Sequence, residues 1–449
     1  MSLEVGGSRS TRREPTHSWG EHANSTQKDP EPGFEPRTAG PSYYPRRYTP
    51  SLSAMGNTSC NNLVIPPPQG PRAVGCTDLM MDHTVQGSFF RLYYPCQKMD
   101  TAEMPAWIPN IEYFNGLADF MKINRTFGEG IFNFLFGSVK IPAHLDAPFH
   151  SNEKCPVIIF SHGLGAFRTL YSAICTELAS RGFIVASVEH RDESASATYY
   201  FGEKDESRHA SNASFLDDLR EWIYIRILQA GEQEFPIRNQ QVIQRADECI
   251  RALNRLVDIN SGLPVQNVLQ TQFDWTTLQN SMDLSKVAVI GHSFGGGTVL
   301  EALAKETQFK CGVALDAWML PLKDDTFPGI KQPIFFINSW GFQWAENVKR
   351  IETLLAADAR RKMITIRGTV HQSFPDFTFV TRECIGKLMR LRGDLDPKIA
   401  INLSNEATLA FLQRYLGLKK DFNQWDRLID GEDENLIPGT NVPLLQSAM

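Results

Sequence analysis

Short apolar runs alternate along most of this chain with longer segments that carry apolar residues at helical spacing. A run of four to eight apolar residues is typical of a buried strand, and a period near 3.6 residues is typical of a helix packed on one side. Strands separated by helices in this way predict a doubly wound, mainly parallel sheet of the α/β class. The predicted strands are residues 88–94, 156–160, 183–188, 287–290, 311–316, 333–338 and 363–367, and the predicted helices are residues 170–180, 298–305, 344–357, 376–395 and 405–415.

The segments outside this alternation are predicted to form two tails and an insertion. Residues 1–70 are rich in Pro, Ser, Arg and Gly and lack apolar periodicity, which predicts a disordered N-terminal tail. The predicted α/β domain occupies residues 71–435, and residues 436–449 are predicted to be a C-terminal tail. Residues 195–285 are mostly polar with helical periodicity, so we expect an insertion that covers part of the sheet.

An aromatic segment before the first central strand has two possible structures. Residues 131–136 read Ile-Phe-Asn-Phe-Leu-Phe and are almost entirely apolar. One interpretation is a buried helical turn. The other is an apolar face that rests on a lipid surface, where aromatic side chains are favoured.

The most informative stretch is Gly291-His-Ser-Phe-Gly295, which matches G-x-S-x-G between a predicted strand and a predicted helix. This is the context of the nucleophile elbow of α/β-hydrolases, in which a strained turn lifts the Ser hydroxyl to the carboxyl end of the sheet. A Cβ atom at either flanking glycine is predicted to collide with the neighbouring strand or helix. Ser293 is therefore the predicted nucleophile, and the predicted fold is an α/β-hydrolase with a helical insertion.

The order of an α/β-hydrolase triad along the chain, Ser, then Asp or Glu, then His, limits the partners of this serine. His371 is the only histidine after Ser293, and it follows a predicted strand after a short turn. Among the carboxylates between them, Asp316 alone ends a buried strand, where a side chain is held rigidly. We therefore predict His371 as the general base and Asp316 as the group that orients it. The alternative for Asp316 is a helix N-cap.

Two backbone amides complete the predicted site. Strand 156–160 runs into His162-Gly-Leu-Gly165, which resembles the H-G-G-G-type loop that supplies an oxyanion-hole N–H in lipases and esterases. The predicted oxyanion hole is formed by the N–H groups of Leu164 and Phe294, and the alternative for the loop is a plain turn. The charged cluster 189–192 lies at another strand end, but it precedes the nucleophile, so we predict a structural role for it.

Composition excludes several other functions. The net charge is −6, so no basic surface argues for a nucleic-acid partner. No C-x-x-C pair or other metal-ligand pattern occurs, so we predict neither a metal nor a cofactor. Four cysteines lie in apolar segments and are predicted to be small core residues, namely Cys155, Cys175, Cys249 and Cys311.

Targeting signals are weak. No apolar run reaches the ~18 residues that a membrane-spanning helix needs. The first residues lack the apolar core of a secretory signal, which predicts a cytoplasmic protein, with secretion as the alternative. Met55-Gly56 would begin a myristoylation pattern, except that Cys60 stands where Ser or Thr is expected. The pattern is either an internal methionine in a tail or a lipid anchor on a shorter isoform.

Four stretches resemble the platelet-activating-factor acetylhydrolase family, which includes the lipoprotein-associated plasma enzyme and the intracellular type II enzyme. The resemblance covers about residues 70–435, and these stretches are long and distinctive. They are residues 291–296 (Gly-His-Ser-Phe-Gly-Gly), 160–171 (from Phe-Ser-His-Gly-Leu-Gly), 314–319 (Ala-Leu-Asp-Ala-Trp-Met) and 370–372 (Val-His-Gln).

The resemblance implies a calcium-independent enzyme that hydrolyses the sn-2 acetyl or the short or oxidised acyl ester of phospholipids such as platelet-activating factor. It implies a phospholipid substrate and peripheral contact with a membrane or a lipoprotein surface. The residues that match the family's triad are Ser293, Asp316 and His371, and those that match its oxyanion amides are Leu164 and Phe294.

Two other functions fit the same motifs. One is a general carboxylesterase or lipase on the same fold. The other is a catalytically inactive, lipid-binding protein on a hydrolase scaffold, against which the presence of all three predicted triad residues argues.

Overall fold

A computed structural model describes residues 63–99, 103–202 and 220–443. Most of its strands are runs of β-branched and aromatic residues that are buried along their length, as expected for a sheet covered on both faces. The strands are β1 (Ala73–Met81), β2 (Ser88–Cys96), β3 (His144–Leu145), β4 (Cys155–Ser161), β5 (Ile184–Val188), β6 (Ala197–Phe201), β7 (Arg220–Tyr224), β8 (Met282–His292), β9 (Phe309–Leu315), β10 (Ile334–Ser339), β11 (Lys362–Ile366) and β12 (Leu436–Pro438).

One ten-stranded sheet organises the described residues, in the order β12-β11-β10-β9-β8-β4-β5-β2-β1-β3. The six strands from β5 through β4 and β8 to β11 run parallel. Antiparallel pairing adds β2 to β5, β1 to β2 and β12 to β11. The carboxyl ends of the parallel strands therefore meet at one edge, which is where α/β folds place their ligands.

Helices cover both faces of the sheet, because side chains alternate between the faces along each strand. The helices α1, α2, α3 and α9 pack on one face, and α4, α5 and α6 pack on the other. Their bounds are α1 (Glu112–Phe120), α2 (Arg125–Phe136), α3 (Ser172–Ser180), α4 (Glu234–Asn260), α5 (Phe294–Lys305), α6 (Ala345–Ala357), α7 (Phe377–Val380), α8 (Glu383–Leu388), α9 (Pro397–Leu416) and α10 (Asp426–Ile429), with short 3₁₀ turns at Trp275–Leu278, Asp324–Gly329, His371–Ser373 and Phe422–Trp425.

The predicted fold class is confirmed, and each predicted strand from 156 onward matches a parallel strand within a few residues. Strand β1 was not predicted, although it pairs with β2 along its whole length. The predicted insertion contains the long helix α4, but it also contains the unpredicted antiparallel pair of strands β6 and β7. Strands of five residues are too short for their period to be recognised.

The folded domain extends beyond both of its predicted ends. Ile65 is buried, and the backbone N–H groups of Gln69 and Gly70 donate to Glu177 and Ser180, so the folded part begins before residue 71. The predicted C-terminal tail is wrong at its start, because β12 pairs with β11 and buries Leu436. The predicted disorder of residues 1–62 and the myristoylation pattern lie outside the described residues.

The aromatic segment lies in helix α2. The interpretation as a buried helical turn is confirmed for one side of this helix, and the other side is exposed. Phe132 and Phe136 point into the core beside α1 and Trp107. Phe127 and Phe134 point outward, with 64% and 87% of their surface exposed. The apolar residues of α2 occupy more than one face of the helix. Only one of these faces can pack on the core, so the other remains exposed.

The predicted core cysteines, at positions 155, 175, 249 and 311, are buried and carry free thiols. Burial raises the pKa of Cys249 to about 12, so this thiol stays protonated at neutral pH. Among the described residues, no helix is both long and apolar enough to cross a membrane.

Candidate active site

Ser293 sits on the turn between β8 and α5, at the carboxyl edge of the sheet. Its backbone has φ 59° and ψ −116°, which is a strained conformation for a residue with a Cβ atom. Its N–H donates to the carbonyl of Leu315, and its carbonyl accepts from Trp318 N–H. These bonds to the end of β9 and the loop after it hold the strained turn in place.

The two glycines of the motif are required by close approach of other backbone atoms. A Cβ atom at Gly291 would lie 2.2 Å from the carbonyl oxygen of Gly295, and one at Gly295 would lie 2.1 Å from that of Ser161. The first collision is with the elbow helix and the second is with the end of β4. The predicted steric reason for the motif is therefore confirmed.

The three predicted triad residues are in hydrogen-bond contact. His371 Nε2 lies 2.9 Å from Ser293 Oγ, and His371 Nδ1 lies 2.9 Å from Asp316 Oδ2. Ser293 is 8% exposed, whereas the His371 side chain is 23% exposed, so the serine–histidine pair can be reached from solvent. A carboxylate on Nδ1 favours the tautomer in which Nε2 is free to accept a proton.

Asp316 is held by more than the histidine. Its Oδ1 accepts from the backbone N–H of Ser339 at 2.5 Å, and its Oδ2 accepts from Ser339 Oγ at 2.5 Å. Its own N–H donates to Ile337 on the neighbouring strand. The alternative role as a helix N-cap is not observed, because the residues directly after Asp316 form a loop and not a helix. Buried among these donors, the carboxylate has a fixed direction toward the imidazole.

Two rings hold the imidazole of His371 in place. Phe342 stacks on it with ring centroids 3.7 Å apart, and His292 lies on it at 4.4 Å. Burial, with a smaller contribution from His371, lowers the pKa of His292 well below its usual value. His292 is therefore neutral at physiological pH and does not oppose an imidazolium at His371.

The loop after β4, which contains Leu164, packs against the serine. Gly163 packs closely on Ser293, since a Cβ atom there would lie 3.3 Å from the Ser293 Cβ. The Gly163 N–H donates to the Tyr171 hydroxyl, while among the described residues no hydrogen bond uses the Leu164 N–H. Phe294 is the first residue of α5, where an N–H has no partner within the helix. Among the described residues, neither predicted oxyanion N–H is therefore occupied by another acceptor.

The charged cluster at 189–192 is part of a buried network behind this loop. Ser161 Oγ lies 2.8 Å from His190 Nε2, and His190 Nδ1 lies 2.6 Å from Glu248 Oε2. Burial lowers the pKa of His190 well below its usual value and raises that of Glu248. This hydrogen-bonded chain of Ser, His and Glu resembles the one formed by Ser293, His371 and Asp316. All three of its residues are buried, however, which agrees with the predicted structural role.

Reasoning from the sequence missed three residues around the site: Ser339, Phe342 and Arg245. Ser339 ends β10 next to Asp316, so its place at the carboxyl edge was a usable signal. Arg245 lies on the apolar stripe of α4 between Val242 and Cys249, and a charged residue inside such a stripe indicates a buried partner. Phe342 follows β10 in a loop and carries no signal of this kind.

One group of described residues has the geometry of a metal site, namely His292, Asp316 and His371, whose ligand atoms lie within 4.8 Å of one another. The ligand atoms of Asp316 and His371 are already bonded to each other, and His371 also contacts Ser293. His292 Nδ1 is bonded to the Tyr171 hydroxyl. The Ser–His–Asp arrangement therefore accounts for this cluster.

Comparison with known proteins agrees with this geometry. The sequence profile described as platelet-activating factor acetylhydrolase, isoform II, matches residues 57–436. The chain belongs to this family. It is 55% identical over 382 residues to the platelet-activating factor acetylhydrolase of Gallus gallus, covering 85% of this chain and 90% of the relative. It is 53% identical over 388 residues to the protein of the same name from Canis lupus familiaris, covering 86% and 85%.

A solved structure supports the fold of this acetylhydrolase-family chain independently. The ferulic acid esterase of Streptomyces cinnamoneus aligns with a TM-score of 0.56 at 17% identity, over 83% of this chain and 98% of the esterase. Identity this low supports the fold alone. Family membership, by contrast, confirms that the chain is a carboxylic ester hydrolase that acts on phospholipids.

Proposed function

We propose that this protein is a serine esterase that removes the sn-2 acetyl group, or a short or oxidised acyl group, from phospholipids such as platelet-activating factor. One observation carries the proposal: Ser293, His371 and Asp316 form a continuous hydrogen-bonded chain at the carboxyl edge of the sheet. Membership of the acetylhydrolase family supports the choice of substrate. Apart from the ester and one water molecule, the reaction uses only groups of this chain, and no calcium ion takes part.

In the first half of the reaction, Ser293 Oγ attacks the sn-2 carbonyl carbon while His371 Nε2 accepts the hydroxyl proton. Asp316 accepts the Nδ1–H bond and stabilises the resulting imidazolium. The carbonyl oxygen becomes an oxyanion that receives the N–H groups of Leu164 and Phe294, and loss of one such donor typically costs about 2.7–4 kcal/mol.

In the second half, the bond between the acyl carbon and the sn-2 oxygen breaks, and His371 gives its proton to the departing lysophospholipid. The acyl group then remains on Ser293 as an ester. A water molecule attacks this ester while His371 takes one of its protons. The carboxylic acid leaves as the proton returns to Ser293 Oγ, which restores the enzyme.

Substrate preference tests this proposal against a general esterase or lipase. We expect the enzyme to hydrolyse phosphatidylcholines with an sn-2 acetyl group much faster than those with a long sn-2 chain. The measurement is kcat/KM for a series in which only the sn-2 chain length changes, made with and without a calcium chelator. Faster turnover of long chains, or loss of activity with the chelator, would contradict it.

The proposal includes peripheral contact with a lipid surface. Exposed apolar side chains line the outer side of α1 and α2, and Phe120 packs against Gly165, next to the predicted oxyanion amide of Leu164. An exposed apolar surface beside an ester-hydrolysing site suits a substrate that enters from a lipid layer. The exposed residues are Ile111, Phe120, Met121, Phe127, Ile131, Phe134 and Leu135.

Replacing Phe127 and Phe134 together with Ser is expected to weaken binding to phosphatidylcholine vesicles by at least about tenfold, because each buried Phe contributes about 1.5–3 kcal/mol. Hydrolysis of a water-soluble acetate ester should not change, since neither side chain belongs to the triad. Sedimentation with vesicles measures the first quantity, and a colorimetric assay measures the second.

Leu263→Ser is the matched control, because Leu263 is 54% exposed but follows α4 near the start of β8, at the opposite edge of the sheet. Its vesicle binding should equal that of the wild type. Phe132 and Phe136 are unsuitable for this test, since they are buried and their loss would affect stability. Equal vesicle binding by the Phe127/Phe134 variant and the control would exclude this surface.

The proposed location is the cytoplasm, with peripheral membrane contact, and the alternative is secretion. Mass spectrometry of the native N-terminus distinguishes this location from secretion, because a lipid-modified glycine and a cleaved secretory signal give different terminal peptides.

A further inference from the structure

Arg245 is a fully buried cation on α4 whose contacts converge on the loop that follows β4. Its Nη1 donates to the carbonyl of His162 at 2.7 Å, and its Nη2 lies 3.4 Å from that of Gly163. Its Nε donates to Ser194 Oγ at 2.8 Å, and the Ser194 carbonyl accepts from Gly165 N–H. One side chain therefore bridges both sides of this loop.

The contact with Gly163 matters because a peptide group is planar. The carbonyl of Gly163 and the N–H of Leu164 belong to the same peptide and point in opposite directions, so fixing one fixes the other. The Gly163 carbonyl also lies 2.8 Å from His162 Nδ1 and accepts from Ala166 N–H. These donors fix the direction of the Gly163 carbonyl, and with it the direction of the Leu164 N–H.

The tautomer of His162 fits this arrangement. Its Nε2 accepts from the backbone N–H of His190 at 3.3 Å, and its Nδ1 lies 2.8 Å from the Gly163 carbonyl, so the ring proton lies on Nδ1. Arg245 Nη2 lies 3.1 Å from Nδ1 and therefore contacts this nitrogen without donating to it. Burial, followed by the charge of Arg245, lowers the pKa of His162 well below its usual value, so the ring is neutral. The charge close to this peptide is therefore that of the guanidinium.

The guanidinium also contacts the second predicted oxyanion residue. It lies 4.5 Å above the ring of Phe294, whose backbone N–H is the other donor. Its counterion Asp192 lies on the far side, with Oδ2 3.2 Å from Nε. Because an arginine keeps its charge and its planar fork when buried, it can hold several carbonyls in a fixed geometry, which a lysine does not reproduce.

We propose that Arg245 is a positioning residue for the oxyanion hole, one that fixes the Gly163–Leu164 peptide and packs on Phe294 without touching the substrate. This rests on the proposed function, in which the Leu164 and Phe294 amides stabilise the oxyanion. Loss of the fork in Arg245→Lys lets the loop move, which weakens binding of the transition state more than binding of the ester.

The expected result for Arg245→Lys is a kcat lower by about tenfold to a hundredfold, with KM within about twofold. The inhibition constant of a trifluoromethyl ketone, which adds Ser293 Oγ and presents an oxyanion, should rise by the same factor. Partial unfolding lowers the active fraction but does not change an inhibition constant. This measurement therefore separates positioning of the oxyanion hole from general destabilisation.

Arg238→Lys is the matched control, because Arg238 is buried on the same helix two turns away and bonds to Gln241, not to the loop. It should leave kcat and the inhibition constant near their wild-type values. Ser194→Ala removes one acceptor of the guanidinium and should raise the inhibition constant by a smaller factor, which provides a test even if Arg245→Lys does not fold.

An inhibition constant for Arg245→Lys or Ser194→Ala equal to that of Arg238→Lys would overturn the positioning role. Failure of the proposed function would give a different result from failure of the positioning role. The wild-type protein itself would then lack esterase activity and would not be labelled at Ser293 by an organophosphate.

Discussion

Replacing His371 with Ala is expected to lower kcat by about a millionfold, since it removes the base on which the serine depends. His371 lies at the surface of the site on a 3₁₀ turn, so the fold and the thermal unfolding temperature should change little. The measurement is kcat for an sn-2 acetyl phospholipid beside a thermal unfolding curve for the same preparation.

The activity of the Ser293→Ala variant provides a comparison for that of His371→Ala. Because the two residues act as one unit, the double variant should be about as active as either single variant, and not lower by the product of their effects. Organophosphate labelling should disappear in Ser293→Ala. A His371→Ala enzyme within tenfold of wild-type activity would show that another group is the base.

Asp316→Asn is expected to lower kcat by about ten-thousandfold while the protein stays folded. If the amide oxygen keeps the bond from Ser339 N–H, the amide NH₂ faces His371 Nδ1, which must then act as the acceptor. The imidazole proton moves to Nε2, so His371 can no longer take the proton of Ser293. The kcat of the variant at neutral pH, compared with the wild type, measures this effect.

Ser339→Ala provides a graded control for the role of the aspartate. It removes the hydroxyl bond to Asp316 Oδ2 but leaves the backbone N–H bond to Oδ1. We expect a loss of about tenfold or less, because the carboxylate keeps its charge and most of its direction. An Asp316→Asn enzyme that was no weaker than Ser339→Ala would mean that the carboxylate does not set the tautomer.

The residues of the site were predictable because an α/β-hydrolase imposes local and ordered constraints. The elbow requires small residues beside Ser293, where the backbones of Gly295 and Ser161 leave no room for a Cβ atom. The order of the triad left His371 as the sole histidine, and its carboxylate had to end a strand. Each constraint acts within a few residues or along the chain, so one sequence was enough to find the candidates.

The orientation of α2 could not be predicted from the sequence. Its apolar residues surround the helix, so periodicity did not distinguish Phe132, which packs on Phe114, from Phe134, which faces outward. The same limit applies to β12, whose three residues are stabilised by pairing with β11, far away in sequence. In both cases the partner surface decides the outcome, and that surface comes from distant parts of the chain.

The sequence by itself determined the fold class and the five candidate site residues, because these depend on apolar periods, tight glycine geometry and the order of motifs. The family followed from the resemblance of long stretches such as residues 160–171. Only the tertiary structure decided which residues hold them in place. Ser339 hydrogen-bonds to Asp316, Phe342 stacks on His371, and Arg245 hydrogen-bonds to the loop that contains Leu164. Each of these contacts joins residues that are distant in sequence, and chain folding alone brings them within bonding distance.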